Sequence, residues 1–311
     1  MISGADSRYT LMIQGKPTNA VSHMSGRVVN IDAITGLGFY VANGVRVTVD
    51  QCNKNMLPVS TLKVFDLMLM KLVHSLPTGK NSTESGIDEG RMVTLAVREY
   101  MQHCHLKDWG ESRTQIDRAI ADLYNITVEW NEPRSKNGKG SESIYWRARI
   151  IDTVGSNLCV KNGRIIVKFS FDMAKYLANA YLMPYPKNLL AVNARKNPHA
   201  YYLGRRLAEH HNMNLGKSNA DLISITTLLK SCPNLPDYNA VASSAGQVSK
   251  RIILPVKRDL DALRDEYGVI TSWAYCTENG ELLPPEQLNR IDYDGWAKLI
   301  VRFELADYPK K

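Results

Sequence analysis

Apolar residues recur at helical spacing in six stretches of the chain, and shorter runs of β-branched and aromatic residues follow two of them. In "PVSTLKVFDLMLMKLVHSLP" (58–77), Leu62, Phe65, Leu69, Leu72, Val73 and Leu76 keep the helical period. That spacing predicts a helix capped at Ser60 and stopped at Pro77. A polar loop, "TGKNSTESGIDEG", is expected next. "MVTLAVREYMQHC" (92–104) then predicts a second helix with Val93, Ala96, Val97, Tyr100 and Cys104 on one face. A third, "SRTQIDRAIADLY" (112–124), is capped by Ser112 and turns Ile116, Ala119, Ile120 and Leu123 inward. "YNITVEW" (124–130) reads as that helix running into a strand. A loop rich in Gly, Ser and Lys leads from it to a return strand, "IYWRARII" (144–151).

The order then repeats. "NPHAYYLGRRLAEHHNMN" predicts a helix beginning after Asn197, with Pro198 in its first turn. "SITTLLKSC" predicts one capped by Ser224. "LPVKRDLDALRDEYG" predicts one that begins at Pro255, buries Val256, Leu260, Leu263 and Tyr267, and ends on Gly268. The strands "VITSWAYC" and "WAKLIVRFEL" follow. "YGVITSW" (267–273) repeats the helix-to-strand joint of "YNITVEW", with Tyr267, Gly268, Val269 and Trp273 at the positions of Tyr124, Asn125, Ile126 and Trp130. Three helices backed by a two-stranded hairpin make a winged helix. The expectation is therefore an α+β chain of two tandem winged-helix domains. Residues 46–168 form the first and 169–311 the second, with "KFSFDMAKYLANAYLMPYP" as a strand-and-helix connector. Residues 1–45 are an N-terminal extension of open role, patterned only by a hairpin expected at Asn43-Gly44.

Composition narrows the function classes. Of 311 residues 44% are hydrophobic, enough for a packed core in each of two domains. No run of 18 apolar residues is present, so no membrane span is expected. The first residues lack a secretory layout, and the five cysteines are scattered. Both suit a cytoplasmic protein with reduced thiols.

The net charge of +8 is unevenly spread. From Asp259 onward eleven acids face six bases, so that segment carries −5 and the preceding chain +13. A basic surface of that size favours an anionic polymer as partner, because released counterions add favourable free energy. Ordinary solubility charge is the competing reading.

In a winged helix the third helix enters the DNA major groove and the hairpin reaches neighbouring phosphates. The first copy offers Arg113, Thr114, Gln115 and Arg118 on the outer side of its third helix. Arg and Gln are the residue types that pair with guanine and adenine edges. Its wing tip carries Arg134, Lys136 and Lys139, and its flanks Arg147 and Arg149; a merely solvated hairpin is the alternative. The second copy offers Lys250 and Arg251 before its third helix, and Lys257 and Arg258 in its first turn. Cations at a helix N-terminus oppose the macrodipole, so a phosphate partner explains them better than folding does. Snorkelling surface side chains are again the alternative.

Enzyme-like signals do not assemble. "PTGKNST" has His74 where a phosphate-binding loop has its first Gly, and Asn81 in place of the metal-binding hydroxyl. "HCH" (103–105) has the paired histidines of rolling-circle nickases, but at a helix end. His210-His211 is read as a favourable charge partner at its helix C-terminus, and "GLG" (36–38) lacks a third glycine. No catalytic residue, metal site or cofactor is expected.

Over residues 46–305 the paired units resemble the replication initiators of iteron-type plasmids and related mobile elements. The resemblance rests on element order and on "YPKNLLAVNARKNPHAYYLGRRLAEHHNMN" and "RIILPVKRDLDALRDEYGVITSWAYC". It implies a non-enzymatic protein that binds directly repeated duplex sites at an origin and recruits host helicase and replication proteins. It also implies that the second winged helix reads the major groove, with Lys257 and Arg258 nearest the bases. The first would mediate homodimerisation and contact phosphates. Three rivals stay open: a tandem winged-helix transcription regulator or repressor, a metal-dependent nickase using His103, and a pair serving only protein–protein assembly.

Overall fold

The structure is a computed structural model that describes residues 8–24, 30–33, 35, 37–50, 57–77, 82–133, 143–152, 159–161, 163–243, 247–288 and 291–309. It divides into two compact units. One runs from Leu11 to Met183; the other takes the described residues before Leu11 together with those from Pro184 onward.

The chain enters through β1 (Tyr9–Gln14) and continues in the N-terminal unit as α1 (Lys16–Met24), β2 (Asn30–Ile31), β3 (Gly38–Ala42) and β4 (Val45–Val49). The expected hairpin is present between β3 and β4. Asn43 and Gly44 have φ of 51° and 76°, so both central residues take the left-handed backbone that a tight hairpin of this kind requires. Next come α2 (Val59–Ser75), α3 (Glu84–Gly90), β5 (Met92–Ala96), α4 (Val97–Cys104), α5 (Trp109–Tyr124), β6 (Ile126–Pro133) and β7 (Ser143–Arg149). The unit closes with β8 (Cys159–Lys161), β9 (Arg164–Lys168) and α6 (Phe171–Leu177), and the chain leaves it along β10 (Tyr181–Pro186).

Helices α2, α4 and α5, backed by the antiparallel β6–β7 hairpin, form the first winged helix. β4 pairs with β6, so β2, β3 and β4 extend the hairpin into a five-stranded sheet in the order β2-β3-β4-β6-β7. β2 and β3, which lie in the extension of open role (1–45), are thus part of the wing's own sheet. Across the hairpin Trp130 and Trp146 stack at 5.7 Å, and Tyr176 of α6 meets Trp130 edge-on at 4.9 Å. Burial pushes the Tyr176 phenol up to about 12.

Four local expectations change. The first helix starts at Val59 with Pro58 at its N-cap and no side-chain cap, so Ser60 lies inside it. Met92–Ala96 is a strand where a helix was expected. Val93 and Leu95 are buried while Met92 and Thr94 are exposed, a period of two that pairing with β9 satisfies. The helix begins only at Val97. Within the expected polar loop, Thr83 accepts a hydrogen bond from the Gly86 N–H and starts α3, which buries Ile87. The third helix begins earlier than Ser112, capped by the Asp108 carboxylate on the Glu111 N–H.

The C-terminal unit contains a 3₁₀ turn (Lys187–Ala191), α7 (Ala200–Met213), β11 (Leu222–Ser224), α8 (Ile225–Ser231) and α9 (Tyr238–Ser243). A π turn (Ser249–Ile253) then leads into α10 (Leu254–Asp265), followed by β12 (Ile270–Cys276), α11 (Pro285–Leu288), α12 (Tyr293–Ala297) and β13 (Ile300–Leu305). Helices α7, α8 and α10 with the β12–β13 hairpin make the second winged helix, and β11 adds a third strand in the order β11-β13-β12. Ser224 caps α8 as expected, accepting from the Thr227 N–H at 3.2 Å. The two helix-to-strand joints differ. Asn125 keeps an ordinary φ of −83°, whereas Gly268 turns at +57°. Gly204 lets α7 approach its neighbours closely: a Cβ there would lie 2.3 Å from Leu189 Cδ2 and 3.0 Å from Leu263 Cδ2.

Candidate nucleic-acid interface

The third helix of each unit carries most of the candidate side chains, and the two helices treat them differently. On α5, Ile116, Ala119, Ile120 and Leu123 face inward, which leaves residues 113–115 and 118 on the outer side. Arg113 gives its Nε to Asp117 Oδ2 at 2.7 Å, one helical turn away, and its side chain is only 21% exposed. Gln115 is used on both ends. Its Oε1 accepts the buried Tyr100 hydroxyl at 2.9 Å, and its Nε2 donates to Glu111 Oε1 at 3.3 Å. Thr114 donates to the Gly110 carbonyl at 2.9 Å. Arg118 is exposed and has no ion pair or hydrogen bond among the described residues. Its charge helps to lower the Asp122 carboxyl, whose net shift is upward because burial dominates.

The wing flanks are also paired: Arg147 with Glu129 at 3.2 Å and Arg149 with Asp50 at 2.9 Å. Arg134, Lys136 and Lys139 lie outside the described residues.

In the C-terminal unit the third helix starts earlier than Pro255. The Arg251 N–H bonds the Gln247 carbonyl at 2.9 Å, and the Leu254 N–H bonds the Ser249 carbonyl one residue further back than α-helical geometry. Pro255 has no N–H to donate, and its ring would collide with the Arg251 carbonyl in a regular helix; the wider turn relieves both. Lys250 and Arg251 therefore lie in helical backbone, and Lys257 and Arg258 lie well inside the helix instead of in its first turn. The macrodipole argument consequently does not apply to the latter pair.

All four cations are exposed, as is Leu254 among them. Ile252, Val256, Asp259 and Leu260 are buried between and beside them, so the four cations lie on the solvent side of the helix. The side chains of Lys250, Arg251 and Lys257 have no ion pair or hydrogen bond among the described residues. Further along α10 the charges are self-paired, with Arg264 bonded to Asp265 at 2.7 and 2.8 Å and to Asp261 at 3.2 Å. The free cations are thus concentrated in the N-terminal half of the helix, the half that enters the groove in helix-turn-helix docking.

A buried acid behind this face was not anticipated. Asp259 is fully buried. It accepts the His199 backbone N–H at 2.7 Å at the start of α7, the Asn197 amide at 3.4 Å, and Arg258 Nε at 2.8 Å. The signal was in the sequence: residues 256, 259, 260 and 263 form one apolar stripe, and a carboxylate in such a stripe must find buried donors. Tyr267 completes the brace. Its hydroxyl accepts the Asn193 N–H at 3.1 Å and donates to Asn197 Oδ1 at 3.3 Å, while its carbonyl takes the Asn188 amide at 3.0 Å. On the wing side Trp273 Nε1 donates to Asp261 at 3.1 Å. The helix is held at its back, its end and its wing, and its outer face is left open.

The remaining candidates resolve simply. His103 ends α4 and His105 sits beyond it with φ of 52°. Among the described residues, no three His, Cys, Asp or Glu side chains gather where a metal ion would be held. Burial holds the His210 imidazole below its ordinary value, with Nε2 on the Asn219 carbonyl at 3.0 Å. Cys104, Cys232 and Cys276 are buried and not in disulfides. Among the described residues no helix is long and apolar enough to cross a membrane.

Comparison with known proteins bears on this arrangement. No curated protein matches the chain. Two crystal structures of domains 2 and 3 of RctB are similar at low identity. One, of selenomethionine derivatives, has 13% identity and a TM-score of 0.46, covering 94% of this chain and 99% of that one. The other, of RctB residues 155–483, has 11% identity and a TM-score of 0.46, covering 90% and 95%. Residues 48–191 match the family model Rep3_N, described as "Initiator Replication protein, WH1". That match spans α2 through β10, the whole first winged helix. Residues 48–191, just under half of the chain, are thus similar to the N-terminal winged helix of a family of replication initiators.

Proposed function

We propose that the chain is a sequence-specific DNA-binding replication initiator. It binds directly repeated duplex sites at a plasmid or mobile-element origin and recruits host helicase and replication proteins without hydrolysing anything itself. In this reading the second winged helix (169–311) reads the major groove. The first (46–168) contacts phosphates and supplies a homodimer interface. The observation that carries it is the outer face of the third helix in the C-terminal unit, where Lys250, Arg251, Lys257 and Arg258 are all exposed on a helix braced from behind. The match of residues 48–191 to the family model of replication initiators supports the initiator role. Two DNA-contacting units on one chain raise each other's effective concentration, which gives an avidity that one unit lacks.

The test is a fluorescence-anisotropy titration of the full chain against labelled duplex over a range of salt. With about six phosphates neutralised, affinity should fall about 10³-fold between 50 and 200 mM salt. A flat response would remove duplex DNA as the partner. Sites selected from a randomised library should be arranged as direct repeats; inverted repeats would favour the transcription-regulator reading.

A further inference from the structure

Three cations on the reading helix have no partner among the described residues, and the fourth does. Arg258 gives Nε to Asp259 at 2.8 Å while its side chain remains 52% exposed. Asp259 is itself immobilised, fully buried and bonded to the His199 N–H and the Asn197 amide. An arginine so held keeps its guanidinium plane fixed. With Nε occupied from behind, the Nη1/Nη2 fork is the donor pair left for a ligand. That fork matches the O6 and N7 acceptors of guanine in the major groove, and fixing it in advance removes ordering entropy from the binding step.

The other arginines on the two third helices lack this combination. Arg113 has its Nε held by Asp117 but is largely covered, Arg264 spends both Nε and Nη2 on Asp265, and Arg118 and Arg251 are exposed but unheld. Lys250 and Lys257 are point charges on flexible stems, suited to phosphates and poor at telling bases apart.

We propose that Arg258 is the specificity-determining residue of the chain, reading one guanine through N7 and O6, and that Asp259 is its positioning residue. Lys250, Arg251 and Lys257 then supply phosphate contacts. This rests on the duplex-binding reading above and adds to it a named base and a division of labour.

The experiment selects the preferred duplex of the full-length protein from a randomised library. It then replaces each guanine of that duplex singly by 7-deazaguanine, which lacks the N7 acceptor but still pairs with cytosine. Binding by wild type, Arg258→Lys, Asp259→Asn and Lys257→Ala is read by anisotropy. At one guanine, wild type and Lys257→Ala should lose about 10-fold, within the range for a bidentate contact, while Arg258→Lys and Asp259→Asn should lose less than about 2-fold. The assignment is overturned if the penalties at every guanine are the same in Arg258→Lys as in wild type. It is equally overturned if the guanine-specific penalty disappears in Lys257→Ala instead. Circular dichroism reports whether Asp259→Asn folds; where it does not, Arg258→Lys decides alone, since it leaves the buried carboxylate in place. Enrichment of a site without a coupled guanine sinks only this assignment. Failure to enrich any duplex sinks the duplex-binding reading together with it.

Discussion

The third helices of the two units share a place in the fold and differ in what their polar side chains do. On α5 two of the three residues suited to reading bases are consumed by the protein, Arg113 by Asp117 and Gln115 by Tyr100 and Glu111, and Arg118 is left open. On the helix of the C-terminal unit Lys250, Arg251 and Lys257 are exposed and unpaired among the described residues, and the buried acid beneath them holds Arg258 from behind. Binding through α5 must first break intramolecular hydrogen bonds, each worth about 1 kcal/mol, before any contact to DNA is gained. The helix of the C-terminal unit has no such cost. The same secondary structure thus serves as a self-satisfied scaffold in one copy and as a surface with open donors in the other.

The comparison can be broken most directly by removing the open donors. The triple change Lys250→Ala/Arg251→Ala/Lys257→Ala should weaken duplex binding on the order of 10³-fold, taking about 1.5 kcal/mol for each charge-assisted hydrogen bond. It should also lower the slope of log affinity against log salt by about three, as measured by anisotropy. If the change Arg113→Ala/Gln115→Ala has an equal effect, the contrast between the units is wrong.

Gly204→Val tests the support of the reading helix. Its side chain would strike Leu189 and Leu263, so a loss of about 2–3 kcal/mol is expected in urea unfolding, against near-neutral behaviour for valine at an uncrowded helical site.

Gln115→Ala should appear in stability more than in binding. The buried Tyr100 hydroxyl loses its acceptor at a cost of about 1 kcal/mol, while DNA affinity stays within about 3-fold.

The smallest expected effect is on pH. Burial holds His199 below its ordinary value; Asp259 opposes that shift and Arg258 adds to it. The unfolded chain therefore takes up the proton first as pH falls. The contribution of His199 to stability is complete above about pH 6.5 and declines below it, by at most about 1.4 kcal/mol per pH unit until the folded form also protonates. Unfolding midpoints at two pH values, with and without His199→Gln, measure the difference.

Much of this was legible before any coordinates. Both winged helices, the Asn43-Gly44 turn and the Ser224 cap follow from short-range rules that operate over a few residues. Where those rules conflicted, long-range pairing decided. "MVTLA" fits a helical stripe or a strand equally well, and β9, more than sixty residues later, makes it a strand. The chemistry of the candidate interface was less legible than its location. The basic residues near 250–258 stand out in the sequence, but their division into open and braced donors does not.

The sequence by itself determined which faces of the helices turn inward, where turns fall and where positive charge collects, because periodicity, turn chemistry and charge are local properties of the chain. Tertiary structure alone decided that Asp259 lies buried against His199, that Gln115 is spent on Tyr100 and that Pro255 sits behind a π turn within one longer helix. The physical reason is that a side chain's hydrogen-bond partner is set by which segments of the chain meet in space, and 60 residues separate Asp259 from the backbone N–H that holds it.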